Sequence, residues 1–173
     1  MEVYFRKYSS PAGELLLVVS DSEVLMCDWV VSRRHQDLLM RILDDVDGGA
    51  TFVEASCGCC LMNRLIRELD EYFDKLRTNF TLPVRFVGTP FRKTVWEALK
   101  RLDYGSIVSY GELASRCGMP TSVRAVATAV AVNPVSILVP CHRVVRAGGA
   151  IGEYAGGVAA KKFLIELERR QEH

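Results

Sequence analysis

The apolar positions of the chain change period partway along its length. Val3 to Tyr8 is rich in β-forming residues, and Leu15 to Val19 and Val24 to Trp29 are short apolar runs. Between them, Ser9-Ser10-Pro11-Ala12-Gly13 and Asp21-Ser22 are turn chemistry, so a three-stranded antiparallel meander is expected. Gln36 to Leu43 reads as a helix, closed by the loop Asp44-Asp45-Val46-Asp47-Gly48-Gly49. Leu61, Leu65, Ile66, Leu69, Tyr72 and Phe73 then recur at helical spacing and place an amphipathic helix over residues 61–74. Lys75 to Gly88 has weak periodicity and reads as the connection between two domains. After it, Thr89 is a natural N-cap with Pro90 pre-set for the first helical position, and Phe91, Val95, Leu99 and Leu102 mark one buried face. A last helix, Val158 to Arg170, carries Phe163, Leu164 and Leu167 on its apolar side. The expected class is α+β. A small N-terminal antiparallel sheet with a helix, over residues 1–85, precedes a mainly helical, winged-helix-like domain over residues 86–173.

Composition narrows the setting. The chain has 173 residues, 49% hydrophobic and 25% charged, the balance of a globular protein. No apolar run reaches the ~18 residues of a membrane span, so no membrane partner is expected. Met1-Glu2-Val3-Tyr4-Phe5-Arg6-Lys7 lacks the pattern of an export signal, so the expected place is cytoplasmic, or nuclear in a eukaryote. Six cysteines are too sparse for a disulfide scaffold and read as thiols. Residues 1–88 carry 10 Lys+Arg against 14 Asp+Glu, whereas residues 89–173 carry 12 against 7. A phosphate-rich partner would therefore meet the second half.

Two segments of that half carry candidate chemistry. Tyr110 to Cys117 reads as a short helix broken by Gly118-Met119-Pro120, and a second helix, capped by Thr121 or Ser122, runs to Val132. The pair fits a helix-turn-helix, and equally a plain helical hairpin. Its second helix lacks the side chains that address base edges, since Arg124 is its only charged residue. Small residues such as Ser122 and Ala125 allow close approach to a duplex, and Arg124 near the start could enter the stack or a minor groove. The other segment is Pro140-Cys141-His142-Arg143-Val144. Cys141 is the cysteine with a histidine beside it, and a histidine can generate the nucleophilic thiolate. Pro140 makes irregular backbone there, which lets neighbouring side chains share one side. A buried cysteine ending a core strand fits the same residues. Downstream, Gly152-Glu153-Tyr154-Ala155-Gly156-Gly157 is a glycine-rich loop without a phosphate-cradling pattern.

Taken together, Ser109-Tyr110-Gly111-Glu112-Leu113-Ala114, Arg124-Ala125-Val126, Asn133-Pro134, Pro140 to Val144 and Gly152 to Gly157 resemble the O6-alkylguanine-DNA alkyltransferase family in order and spacing. The resemblance is dense over residues 86–170 and architectural before that. It implies DNA repair in a single turnover: an alkylated guanine is flipped out of double-stranded DNA and its O6-alkyl group moves onto a cysteine, with O4-alkylthymine as a further substrate. By resemblance Cys141 is the acceptor, His142 the water-linked general base and Glu168 the carboxylate that orients it. Asn133 braces the turn between recognition helix and acceptor. Tyr110 lies beside the flipped base and donates a proton, and Arg124 fills the vacated place in the stack. The backbone of Cys141 and Val144 would accept from the guanine amino group, with Tyr154 and the amide of Ala155 near O6. No cofactor is implied, because the substrate carries the alkyl group, and a monomer is expected.

Two departures matter. Some relatives hold a structural zinc in the N-terminal domain, but no matching set is present, and Cys57-Gly58-Cys59-Cys60 lacks a standard zinc spacing, so no metal is expected. The alternative of a non-catalytic alkylated-DNA-binding relative is opposed by Cys141, because that subclass carries tryptophan there. The second departure is Ser136, where some members carry a proline that packs against a benzyl substituent. At ~25 cal/mol per Å2, losing a few tens of Å2 of apolar contact costs about 1 kcal/mol, roughly fivefold in affinity. Free O6-benzylguanine should therefore inactivate the protein poorly, and Ser136→Pro should raise its sensitivity. The inactivation rates of the two forms check this, with methylated DNA as the control; equal rates would show that another part of the pocket sets alkyl-size tolerance.

Overall fold

The computed structural model describes residues 1–46 and 49–169. Strands β1 (Glu2–Ser10), β2 (Gly13–Val19) and β3 (Val24–Trp29) form the expected antiparallel meander. Its hairpin closes on Ser10 and Gly13, where Gly13 takes φ 143°. Helix α1 (His35–Asp45) follows, and Asp47 and Gly48 of the loop after it lie outside the described residues. Strand β4 (Thr51–Glu54) was not expected. It pairs in parallel with Glu2–Phe5, so the sheet is mixed, in the order β3-β2-β1-β4, rather than purely antiparallel. Four residues are too few for alternation to show in a sequence.

Both faces of the central strand are covered. Leu15, Leu17 and Val19 join the core on one side, where helix α2 (Cys60–Phe73) and the second half of the chain pack. Leu16 and Val18 point the other way, onto Leu38 and Ile42 of α1. Double burial is why β2 and β3 read as continuous apolar runs.

The connecting stretch is an ordered strap. The buried carboxylate of Glu68 accepts from the Thr81 amide at 2.9 Å and from its hydroxyl. Arg77 pairs with Glu71 at 2.8 Å. The strap then pairs with β3: the Val24 amide donates to Pro83 O at 2.8 Å and the Arg85 amide to Val24 O at 3.0 Å.

The second half contains helices α3 (Pro90–Lys100), α4 (Tyr110–Arg116), α5 (Val123–Ala131) and α6 (Val158–Arg169), and the short strands β5 (Val108–Ser109) and β6 (Val144–Val145). Arg170, the expected end of the last helix, lies outside the described residues. Thr89 caps α3 as expected, accepting from the Arg92 amide. Ser109 and Glu112 form a capping box on α4. Ser122 is at the N-cap position of α5 but its side chain makes no cap bond, so the anticipated cap is absent. Helices α4 and α5 are the helix-turn-helix, and α3 is pinned to it by the Trp96 indole N–H, which donates to Ala129 O at 2.9 Å. Strands β5 and β6 pair in parallel over two residues each, and the wing is reduced to the turn between Arg146 and Ala150.

Gly88 ends the strap against the same indole: a Cβ there would stand 2.6 Å from the Trp96 ring. Because Trp96 is buried and hydrogen-bonded, it cannot yield. Gly88→Ala should cost about 1–3 kcal/mol of stability. Urea denaturation measures this, and an unchanged midpoint would mean that the strap relaxes freely.

Candidate active site

Two hydrogen bonds from one side chain shape the approach to Cys141. Asn133, buried just beyond α5, donates to Val139 O at 2.9 Å and accepts from the Val135 amide at 3.0 Å. The loop between is tight enough to force Ile137 to φ 73°. It is also clamped from the N-terminal half. The Cys27 amide donates to Pro134 O at 3.0 Å and the Ser136 amide donates to Cys27 O at 2.7 Å, a bond that Ser136→Pro would remove even as it adds apolar contact. Edge strand β3 is thus sealed by the segment that leads to Cys141.

Residues Cys141–Arg143 form a single 3-10 turn, the irregular backbone that Pro140 led us to expect. Cys141 and His142 are both buried. Burial pushes the Cys141 thiol above its ordinary pKa, while the Asn133 side chain and the Lys161 ammonium pull against it. His142 Nε2 lies 2.7 Å from Glu168 Oε1 on α6. Burial holds His142 below its usual pKa, so it is neutral near pH 7. For Glu168 burial acts upward, but the bonds and charges of His142 and Arg143 outweigh it and hold the carboxyl well below the usual range. An ionised carboxylate only accepts, so the His142 proton sits on Nε2. Its lone pair is then on Nδ1, a buried atom without a hydrogen-bond partner.

Glu168 collects further donors. Arg143 approaches it with Nε and Nη2, each at 2.9 Å, and gives Nη1 to Leu102 O at 2.6 Å. The Tyr72 hydroxyl donates to Oε1 at 2.8 Å, and the Gly105 amide to Oε2 at 3.1 Å. Sequence reasoning missed Arg143 and Tyr72 as parts of this network. Arg143 was visible inside its motif but was read only as a neighbour, whereas Tyr72 counted as a core position of α2, 96 residues away.

Tyr110 opens α4 half-buried, and burial together with the Cys141 charge raises its pKa, so it keeps its proton. Tyr154, in the glycine-rich loop, has a buried hydroxyl that also faces Cys141 and is raised well above its usual value. Ala155 and Asn133 share a small cavity that faces Asp28 and α1, and Cys141 is not among its lining residues. Val144 is buried in β6, paired with Val108 beside Tyr110. Of the expected residues, Asn133, Tyr110 and Tyr154 interact with Cys141, and His142, bonded to Glu168, follows it in the same 3-10 turn. Ser122, Arg124 and Ala125 stand apart, lining an open groove of about 690 Å3 between α5 and the start of α3, with Arg92 and Thr128. Arg124 and Ala125 are exposed, while Val126, Ala129 and Val130 turn into the core. Among the described residues no group of three or more His, Cys, Asp or Glu side chains could hold a metal ion. No helix among them is long and apolar enough to cross a membrane.

Comparison with known proteins accounts for both halves. Residues 3–86 match the family described as 6-O-methylguanine DNA methyltransferase, ribonuclease-like domain, and residues 90–170 match the 6-O-methylguanine DNA methyltransferase, DNA binding domain. The methylated-DNA–protein-cysteine methyltransferase of Mycobacterium leprae is 36% identical over 169 residues, covering 98% of this chain and 94% of the relative. The inducible enzyme of that name from Bacillus subtilis is 44% identical over 103 residues, 60% of this chain and 58% of the relative. Among solved structures, Mycobacterium tuberculosis OGT in complex with DNA superposes with a TM-score of 0.80 at 30% identity, covering 99% of this chain and 94% of that one. With each half matched in turn and a relative aligned from end to end, the chain belongs to the 6-O-methylguanine DNA methyltransferase family.

Proposed function

We propose that this protein repairs double-stranded DNA by moving an alkyl group from O6 of a flipped guanine onto Cys141, once per molecule. The observation that carries the reading is the His142 ring, whose Nε2 is committed to Glu168 and whose Nδ1 is left free as a base on the residue that follows the buried thiol. A neutral imidazole so fixed takes the thiol proton, through a bridging water, as sulfur attacks. Lys161 favours the thiolate electrostatically against the cost of burial. The new S–C bond forms as the C–O6 bond breaks, and the electron pair leaves with guanine. Tyr110, held protonated, passes a proton to the departing base and regains one through solvent as His142 gives up the thiol proton, so both residues end neutral. The product thioether has no acidic proton and no ready leaving group, so the cysteine is not regenerated. The chemistry draws on no cofactor, because the alkyl group is part of the substrate.

Base chemistry of this kind requires extrusion from the stack. The exposed start of α5 suits it, since small residues including Ser122 and Ala125 let the helix approach closely while Arg124 can occupy the emptied position. The absence of base-reading side chains on α5 fits a lesion that occurs in any sequence. Arg92, across the groove from Arg124, adds positive charge for phosphates. The backbone of Cys141 and Val144 would accept from the guanine amino group, with Tyr154 and the Ala155 amide near O6. Such a protein works where the DNA is, in the cytoplasm or, in a eukaryote, the nucleus, and as a monomer. O4-alkylthymine, which presents a comparable oxygen, is a further substrate. A non-catalytic binder would have no use for a thiol set against an imidazole and a carboxylate.

Cys141→Ser should abolish transfer from O6-methylguanine DNA while duplex affinity stays within a few-fold, because phosphate contacts supply that affinity. Peptide mass mapping after reaction with labelled DNA checks the acceptor; label on Cys117 or on the Cys57–Cys60 cluster would overturn the assignment. Arg124→Ala should slow transfer from duplex DNA by about tenfold or more and transfer from free O6-methylguanine far less, since its contribution is extrusion. Equal slowing on both substrates would show that Arg124 acts in some other way.

A further inference from the structure

Trp29, the last residue of β3, belongs to the N-terminal half yet stands behind the substrate loop. It is 1% exposed, and its indole meets Tyr154 edge-on, with ring centroids 5.8 Å apart at 66°. A Cβ on Gly156 would come within 2.5 Å of the indole ring, so the loop backbone rests directly on Trp29 and only glycine fits there. Three buried polar atoms meet in this place without a hydrogen-bond partner: Trp29 Nε1, Ser136 Oγ and Tyr154 Oη. The Tyr154 hydroxyl is within reach of the other two, though not aligned to bond, and it also faces Cys141. Buried polar groups in folded proteins are almost always paired. The indole N–H can only donate, and each hydroxyl has a proton to give. One acceptor-rich group arriving from the Cys141 side would satisfy all three.

The reaction delivers such a group to this spot. The carbon under attack must stand about 3–3.5 Å from the sulfur, which presses the remainder of the alkyl substituent against whatever flanks Cys141. The local field is mixed, with buried Lys161 acting as a cation toward Cys141 and Asp28 opposing it. We propose that Trp29, Ser136 and Tyr154 form a polar wall that selects O6-alkyl groups bearing an oxygen acceptor, such as 2-hydroxyethyl or carboxymethyl, over hydrocarbon groups of the same size. Trp29 is then a specificity-determining residue supplied by the N-terminal half. The selection rests on the reading of Cys141 as acceptor and leaves the bonds made and broken unchanged.

The test compares single-turnover rates on duplexes carrying O6-(2-hydroxyethyl)guanine and O6-propylguanine, which differ by a hydroxyl in place of a methyl. In the native protein the hydroxyethyl group should transfer about tenfold faster or more. Trp29→Phe keeps a ring beneath Gly156 but removes the N–H, and Ser136→Ala removes one hydroxyl. Each should lower the hydroxyethyl-to-propyl ratio by about fivefold, the worth of one hydrogen bond. A native ratio near one, or a ratio unchanged in both variants, overturns the proposal. Damage to folding in Trp29→Phe would slow both substrates alike and leave Ser136→Ala to decide. Failure of the native protein to transfer methyl to Cys141 at all would instead remove the underlying reading.

Discussion

A single buried carboxylate holds the molecule in register. Glu168 is 2% exposed and accepts from Tyr72, Gly105, His142 and Arg143, which come from α2, the turn after α3 and the Cys141 turn. An anion taken out of water is stable only if its lone pairs are filled, and each donor is fixed in turn by filling them. Removing the acid would strand Arg143, a buried cation, which costs about 3–5 kcal/mol where such pairs have been broken. The orientation of one imidazole and the docking of α2 against the second half are therefore two readings of one constraint. This is why a residue of the N-terminal half belongs to the surroundings of the chemistry.

The backbone repeats the same union. The loop braced by Asn133 pairs with β3 through Cys27, and the strap at Val84 pairs with the same strand. The exposed edge that an isolated four-stranded sheet would offer is thereby used to hold the segment before Cys141 in place. The apolar core is likewise shared, with Leu17 and Leu65 from one half in the same cluster as Val126 and Leu164 from the other.

How much of this was legible depends on the range of the interactions. Local signals were read correctly: the turn residues after β1, the Thr89 cap, the helical spacing of α2 and the break between α4 and α5. The Cys141 turn was legible because its motif is contiguous and because Pro140 forbids a ladder. Glu168 was recoverable only through family resemblance, since a glutamate beside an apolar helical face looks solvated in isolation. Long-range pairings left no trace. β4 is too short for a periodic signal and is defined by its partner β1. Tyr72 presents an apolar ring to any pattern count, and its hydroxyl matters only once α6 is packed on it. Trp29 ends a strand that looks like ordinary core. Ser122 shows the opposite failure, a residue of the right type in the right place whose side chain makes no cap.

Lys161 has a further consequence for the molecule after it has acted. Its side chain is 1% exposed, and burial lowers its pKa while the Cys141 charge supports its protonated form. On the proposed reading, a sulfur that carries an alkyl group can no longer become an anion, so the ammonium loses the thiolate it is placed to favour. The added carbon must also fit where packing leaves Cys141 only 6% exposed. Spent and unspent protein therefore differ in kind as well as in occupancy. The spent form holds an added carbon in an already packed core at the junction of α6 with the Cys141 turn, so local opening there becomes easier. A proteolytic system that samples such openings would remove used molecules ahead of fresh ones without recognising the adduct itself.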